Sequence, residues 1–257
     1  MIVIAHVSDV HIDDGARSLA RTRAVMDYLE DLPADLDLVV VTGDIADHGL
    51  LPEYEIAREA LASRHPVVIC PGNHDIREAF REGMLGTAAS SGPINQSWRS
   101  ESGDDFLIAL CDSSVPGKDE GHLDDDTLNW LEEELQRTPD TTPVFVGFHH
   151  PPARLHIPFI DGIRQFGEER LAQLADRHPN IVAFLCGHAH TAAATTFAGR
   201  PLLVAPGVVS TLRLPWERRA HAEDHVTLDQ PPALAFHVLD DSLRVTTHYR
   251  NVVGSGD

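Results

Sequence analysis

Five apolar runs in this chain end in the same chemistry, and that recurrence limits the folds open to it more than any other feature. VIAHVSDVH stops at Asp9 and His11, VVVTGDIADHG at Gly43 and Asp44, VVICPGNHD at Asn73 to Asp75, VFVGFHHPP at His149 and His150, and IVAFLCGHAH at His188 and His190. Short runs rich in Val, Ile and Phe, bounded by Gly and Pro, read as buried strands. Polar groups just past the carboxyl ends of such strands stand where open α/β sheets build their sites. One strand followed by Gly-Asp is more often a plain turn. Five strands that deliver Asp, His and Asn to one edge are not explained that way.

Between the runs the sequence predicts helices over 18–29, 52–63, 76–85, 124–137 and 168–178, with Pro52 at a helix N1 position. The acids Asp124, Asp125 and Asp126 open one of them and Arg137 closes it, as the helix dipole favours, so that acid run is capping chemistry. Further strands follow at 106–110, 195–197, 202–205, 235–239 and 243–249, the last two joined as a hairpin through Asp240, Asp241 and Ser242. The pattern is an alternation of strand and helix that becomes mostly strand. Residues 87–102, which include Trp98, read as a surface loop walling the pocket, and 214–232 as a polar loop or arm.

Composition narrows the function. At 257 residues the chain can bury one large core, and no break in composition argues for two, so a single domain over 1–257 is expected. A net charge of -20 and a pI near 5.0 argue against a nucleic-acid partner, whose phosphates are bound by Lys and Arg. Cys70, Cys111 and Cys186 are odd in number, lie in apolar runs and share no metal-type spacing, and they read as reduced core thiols. Residues 1–7 lack the basic start of a signal peptide and no run approaches a membrane span, so a cytoplasmic protein without a membrane partner is expected.

Asp9 and His11 stand at i and i+2, as do His188 and His190, a spacing that in extended backbone sends both side chains one way. Adjacent His149 and His150 would point to opposite sides, so at most one of them is a ligand. Asn73 can offer a neutral amide oxygen, His74 a proton, and Asp75 an orienting contact for that imidazole. So many oxygens and imidazole nitrogens exceed one tetrahedral zinc and suit two divalent ions sharing a carboxylate. Asp44 is the natural bridge. Asp9, His11 and one GHAH histidine would complete one metal; Asn73, the other GHAH histidine and one of His149 or His150 the second. Two such cations outweigh the carboxylates of Asp9 and Asp44, so a phosphate ester is attracted locally despite the acidic surface.

The run DVH, GDIAD, GNHD, HHPP, GHAH, in that order over residues 9–190, resembles the calcineurin-like metallophosphoesterases. The resemblance implies one metal on Asp9, His11, Asp44 and His190 and another on Asp44, Asn73, His149 and His188. His149 is preferred to His150 because the family ligand is usually followed by one residue and then proline. It implies that His74 contacts phosphate and protonates the leaving group, with Asp75 behind it. The cofactors would be two divalent or mixed-valence ions, Mn, Fe or Zn. A hydroxide bridging them, at a separation of about 3.5 to 4 Å, would attack phosphorus in line. GNHD and HHPP in a compact chain look most like the class III cyclic nucleotide phosphodiesterases and the bacterial glycerophosphodiesterases. The Ser/Thr phosphatases carry Arg where this chain has His48, and losing that fixed cation weakens the case for a dianionic monoester.

The expected fold is an α/β (α+β) four-layer αββα sandwich of two mixed β-sheets flanked by helices. Residues 207–257 would supply C-terminal strands and an arm that either makes a homodimer contact or covers the pocket. The expected activity is hydrolysis of 3',5'-cyclic nucleotides, cAMP-like, or related small phosphodiesters. A phosphomonoesterase or nucleotidase is the alternative, and a non-enzymatic scaffold such as the retromer subunit on this fold is a weaker one. Phe159, Phe166 and Trp98 are weighed as rings that stack on a base and are more economically read as packing groups.

Overall fold

The computed structural model describes residues 1–100, 106–217 and 225–253. In chain order, β1 (Ile2–Val7), α1 (Ala16–Glu30), β2 (Leu38–Thr42), α2 (Leu51–Ala60), β3 (Val67–Cys70) and α3 (Arg77–Gly83) form the first half. β4 (Gln96–Arg99), β5 (Leu107–Leu110), β6 (Gly121–His122), α4 (Asp125–Gln136), β7 (Val144–Gly147), α5 (Pro158–Gly162), β8 (Gln165–Phe166), α6 (Glu169–Arg177) and β9 (Ile181–Cys186) form the second. The chain closes with β10 (Ala193–Phe197), β11 (Arg200–Val204), β12 (Thr211–Leu212), β13 (Val226–Thr227), β14 (Ala233–Leu239) and β15 (Val245–Asn251).

Among the described residues one mixed sheet has the order β15-β14-β1-β2-β3 and another β10-β11-β9-β7-β5-β4. Strand alternation builds the layers. Ile4, Leu38 and Val40 point to a core shared with Phe106, Ile108, Phe145 and Leu185 of the other sheet. Their neighbours Ala5, Val7, Val39 and Val41 point the other way, onto Val25 and Leu29 of α1 and Tyr54 and Ala57 of α2. Leu107, Val144 and Val146 likewise pack on Leu128 and Leu131 of α4 and Leu171 and Leu174 of α6. The result is the expected αββα sandwich, in which each central strand is covered on both faces and therefore reads as a continuous apolar run.

The caps follow from sequence. Glu53 reaches back to the backbone N–H groups of His48 and Leu50, both at 3.0 Å, and Asp124 accepts from Thr127 N at 2.8 Å. One expectation needs correction. The stretch over 87–102 contains strand β4 within its described part, antiparallel to β5, and Trp98 packs at 5.2 Å on Phe106 instead of walling the pocket. Pro158–Gly162 also form a short helix, an element that no sequence pattern announces. Both elements are too brief for periodicity to declare them.

The inner face of the first sheet also carries polar groups. His6 Nδ1 lies 3.0 Å from His237 Nε2, His6 Nε2 2.8 Å from Thr42 Oγ1, and His237 Nδ1 2.9 Å from Thr247 Oγ1. Burial, with His237 beside it, holds His6 well below the usual imidazole range, and burial holds His237 down to about 3. The unfolded chain protonates both near pH 6.5. The stability they carry is therefore present above that pH and is lost as pH falls through it, by about 1.4 kcal/mol per unit for each histidine. Denaturation midpoints between pH 7 and pH 4 should show a shallower acid limb for His237→Phe than for the wild type; identical limbs would show that the pair does not set it.

Candidate metal centre

The predicted residues come from loops after β1, β2, β3, β7 and β9, so both sheets contribute to one cluster. Backbone bonds zip the first two loops together: Asp9 N donates to Gly43 O at 3.2 Å, His11 N to Asp44 O at 3.0 Å and Ile12 N to Ile45 O at 2.8 Å. Asp9, His11, Asp44, His188 and His190 all have positive φ, between 44° and 66°. These residues are not extended, so the i, i+2 pairs converge by left-handed turns and not by strand alternation. Non-glycine residues held there cost about 1–3 kcal/mol each, and such strain gathers at functional sites.

Asp44 stands at the middle. Its Oδ2 is 3.2 Å from His149 Nε2 and 3.5 Å from His11 Nε2, and its Oδ1 accepts from His74 N at 3.0 Å. His190 Nε2 lies 3.3 Å from Asp9 Oδ1 and 3.2 Å from His11 Nε2, while His188 Nδ1 lies 3.2 Å from His149 Nε2. Outer partners fix several rings by their far nitrogens: Asp47 Oδ1 on His11 at 2.9 Å, the Thr42 carbonyl on His149 at 2.7 Å and Ser210 Oγ on His190 at 2.7 Å. That arrangement leaves the near nitrogens aimed at one another and at Asp44, as outer-shell contacts do in metal sites.

The donor set fits cations. Asp9, His11, Asp44 and His190 can hold one ion, and His149, His150 and His188 form a second group. Asn73 Oδ1 and His188 Nε2 are buried with no hydrogen-bond partner. Buried polar atoms are otherwise nearly always paired, so these two call for a ligand. In the metal-free chain burial alone would raise Asp44, yet His149, His11 and His74 hold it well below the usual carboxylate range. Burial would likewise lower His149, but the Asp44 charge and hydrogen bond and the Asp9 charge push it up to about 9. The pocket thus favours positive charge at the point where the two groups meet.

His150 is set apart. Ser113 Oγ accepts from the backbone N–H groups of His149 and His150, each at 3.2 Å, so its proton goes to His150 Nδ1 at 2.8 Å. His150 Nε2 then donates to the Asp119 carbonyl at 3.2 Å. Both nitrogens are spent, and no lone pair remains for a metal. Asp75 also departs from expectation. Its carboxylate accepts from Gly72 N at 2.8 Å and from Ile45 and Ala46 N at 3.1 Å, pinning the GNHD loop to the GDIAD loop. His74 is oriented instead by Asp47, whose carbonyl accepts from its Nδ1 at 2.8 Å. Neither Asp47 nor Ser113 is marked by the sequence alone, though the GDIAD spacing carries a signal for Asp47.

A cavity of about 480 Å³ opens over the cluster. His11, Asp44, Asn73, His74, His188 and His190 line its floor, and Phe159, Ile160, Ile163, Val209, Leu212 and Val226 form an apolar side. Of the rings weighed as base platforms, Phe159 alone reaches it, stacked against His225 with ring centroids 5.5 Å apart. Asp13 and Asp119 complete the rim. No helix among the described residues is long and apolar enough to cross a membrane.

Fold and donor set define a metal-dependent phosphoric ester hydrolase. The sequence matches the calcineurin-like phosphoesterase family model over residues 2–192, and the chain belongs to that family. It is 34% identical over 218 residues to the glycerophosphodiester phosphodiesterase GpdQ of Enterobacter lignolyticus, covering 81% of this chain and 78% of that protein. It is 32% identical over 194 residues to the 3',5'-cyclic adenosine monophosphate phosphodiesterase CpdA of Escherichia coli, covering 75% and 68%. In fold it is similar to a dimetal phosphatase from Danio rerio, with a TM-score of 0.71 at 16% identity over 98% of this chain and 96% of that one.

Gly72 tests the geometry. A Cβ there would stand 2.2 Å from Asp44 Oδ1 and 2.5 Å from Asp44 N. Gly72→Ala should push Asp44 aside and abolish the rise in melting temperature that Mn²⁺ gives the wild type, with far-ultraviolet circular dichroism retained. An undiminished rise would mean that Asp44 can move without loss of metal.

Proposed function

We propose that the chain hydrolyses small phosphodiesters, 3',5'-cyclic nucleotides or related diesters, at a centre of two cations. Asp9, His11, Asp44 and His190 would hold one, and Asp44, Asn73, His149 and His188 the other. Bound there, divalent ions would polarise the phosphoryl oxygens and acidify a water for attack on phosphorus.

The chain's own residues do the rest. His74 lines the cavity with its Nδ1 committed to the Asp47 carbonyl, which leaves Nε2 to face the ester. A proton on Nε2 can pass to the departing alkoxide. Asp47 ties this ring to His11 through one residue, since its carboxylate holds His11 while its carbonyl holds His74. The apolar side offers a surface for the organic part of the substrate, and the volume lies within the range of small-molecule sites.

The observation that carries the diester reading is the absence of cationic side chains. Among the described residues no Lys or Arg lines the cavity. His48 turns to Glu53, 2.8 Å from Nδ1 to Oε1, and is not part of the lining. A phosphomonoester dianion would have only the metal ions and His74 to meet its second charge, whereas a diester carries one charge fewer. The names of the relatives, a glycerophosphodiesterase and a cyclic nucleotide phosphodiesterase, support the same class.

The test compares catalytic efficiency on cyclic AMP, on glycerophosphodiesters and on a matched phosphomonoester in Mn²⁺, with a chelated control. A diester preference abolished by chelation is expected. A monoester preference would move the assignment to a phosphatase or nucleotidase, and no turnover of any of them would favour a scaffold. His74→Ala should lower kcat on an alkyl diester by about 10²–10⁴-fold and on a nitrophenyl diester far less. Equal losses on both would remove the proton-donor role.

A further inference from the structure

The buried polar line on the inner face of the first sheet has only one consistent set of proton positions. Its end is the Thr42 carbonyl, which can only accept. Ser8 Oγ lies 2.9 Å from that oxygen and must donate to it. With its proton spent, Ser8 Oγ must accept from Thr42 Oγ1 at 2.9 Å. Thr42 Oγ1, its own proton spent, must accept from His6 Nε2 at 2.8 Å. His6 is therefore an Nε2–H tautomer, and its Nδ1 accepts from His237 Nε2 at 3.0 Å. His237 is the same tautomer and accepts at Nδ1 from Thr247 Oγ1 at 2.9 Å. Both rings are buried among apolar side chains with no carboxylate among the groups that shift them, which keeps them neutral as this scheme requires.

The same Thr42 carbonyl takes the Nδ1–H of His149 at 2.7 Å. With Nδ1 holding its proton there, Nε2 is the nitrogen that faces Asp44 and would bind a cation once its own proton is displaced. The line thus runs from β15 through β14 and β1 to β2 and ends on the group that orients a ligand ring.

We propose that His6 and His237 are positioning residues for the metal centre, acting through Thr42 to fix the His149 ring. This rests on the reading of His149 as a ligand. If His237 were lost, His6 would have no donor for Nδ1 and could exchange tautomers. Thr42 Oγ1–H would then turn to His6, Ser8 would lose its donor, and the Thr42 carbonyl would be less firmly held.

Two measurements test it. Long-range ¹H–¹⁵N NMR of the metal-free wild type should show His6 and His237 as Nε2–H tautomers at neutral pH; an Nδ1–H tautomer or a cation at either would overturn the scheme. Calorimetric titration of the metal-stripped chain with Mn²⁺ should show one of two binding events weakened roughly 10-fold in His6→Leu and in Thr42→Val. The double variant should be no weaker than either single one, because both break one line. His6→Gln, whose terminal amide can still donate to Thr42 Oγ1, should retain wild-type affinity. Folded variants with wild-type affinities, losses that multiply in the double variant, or a Gln variant as weak as the Leu variant would each remove the positioning role alone. A wild-type chain that binds no Mn²⁺ would remove the ligand reading, and the positioning role with it.

Discussion

The structure depends on a buried carboxylate. Asp44 is taken out of water, which by itself penalises its charge, and the nearest groups that can answer that charge are imidazoles arriving from other loops. An unpaired carboxylate in such a place is strongly destabilising. The five loops therefore have to close around it, and they do so in conformations that are locally unfavourable. Left-handed turns at Asp9, His11, Asp44, His188 and His190 make sense together, because each brings a lone pair toward one point. The rings then crowd to within 3.2 Å of one another, nitrogen to nitrogen, a separation that only a shared proton or a cation makes favourable.

Most of this was legible in the sequence because strand ends are easy to read. Apolar runs covered on both faces mark the central strands, and the polar residue after each run is placed by the end of the strand. The sandwich, and the gathering of Asp9, His11, Asp44, Asn73, His149, His188 and His190 at one sheet edge, can be read from that logic or from the motif resemblance. The i, i+2 pairs do come together, but not by strand alternation: they meet through turns whose φ no spacing declares. What escaped was set by tertiary contact. Asp75 stands next to His74 in sequence yet bonds three backbone N–H groups, one in its own loop and two in the GDIAD loop, and Asp47 of that second loop does the orienting. Ser113 lies in an unremarkable turn and acquires meaning only because the His149 and His150 N–H groups converge on its oxygen.

The overall charge and the local field have opposite signs, and the separation between them is what lets an acidic chain handle an anionic ester. The -20 of the whole sequence is spread over solvated side chains, where water and salt screen it beyond about 10 Å. The centre is buried, so its groups act at short range with little screening. Ionised Asp44 beside a His149 pushed up to about 9 shows how strongly the site draws positive charge before any ion enters. Divalent ions in place of that proton would make the floor of the cavity cationic, while the rim carries the acids Asp13 and Asp119. Selectivity for charge is thereby confined to the floor, and shape is left to the apolar side.

The centre also lies across the join between the two sheets. Asp9, His11, Asp44 and Asn73 extend from the first sheet, whereas His149, His188 and His190 extend from the second. Elsewhere the sheets meet through apolar contacts such as Ile4, Val40, Ile108 and Phe145, which are strong but not directional. Cations held by both halves would fix the relative position of the sheets at one end and stabilise the native state by mass action in proportion to occupancy. The hydrogen-bonded line from Thr247 to Thr42 acts within the first sheet alone and ends on a ring supplied by the second. Sheet packing and strand register are then coupled at His149, a fully buried side chain, and a cation held by its Nε2 would be coupled to both.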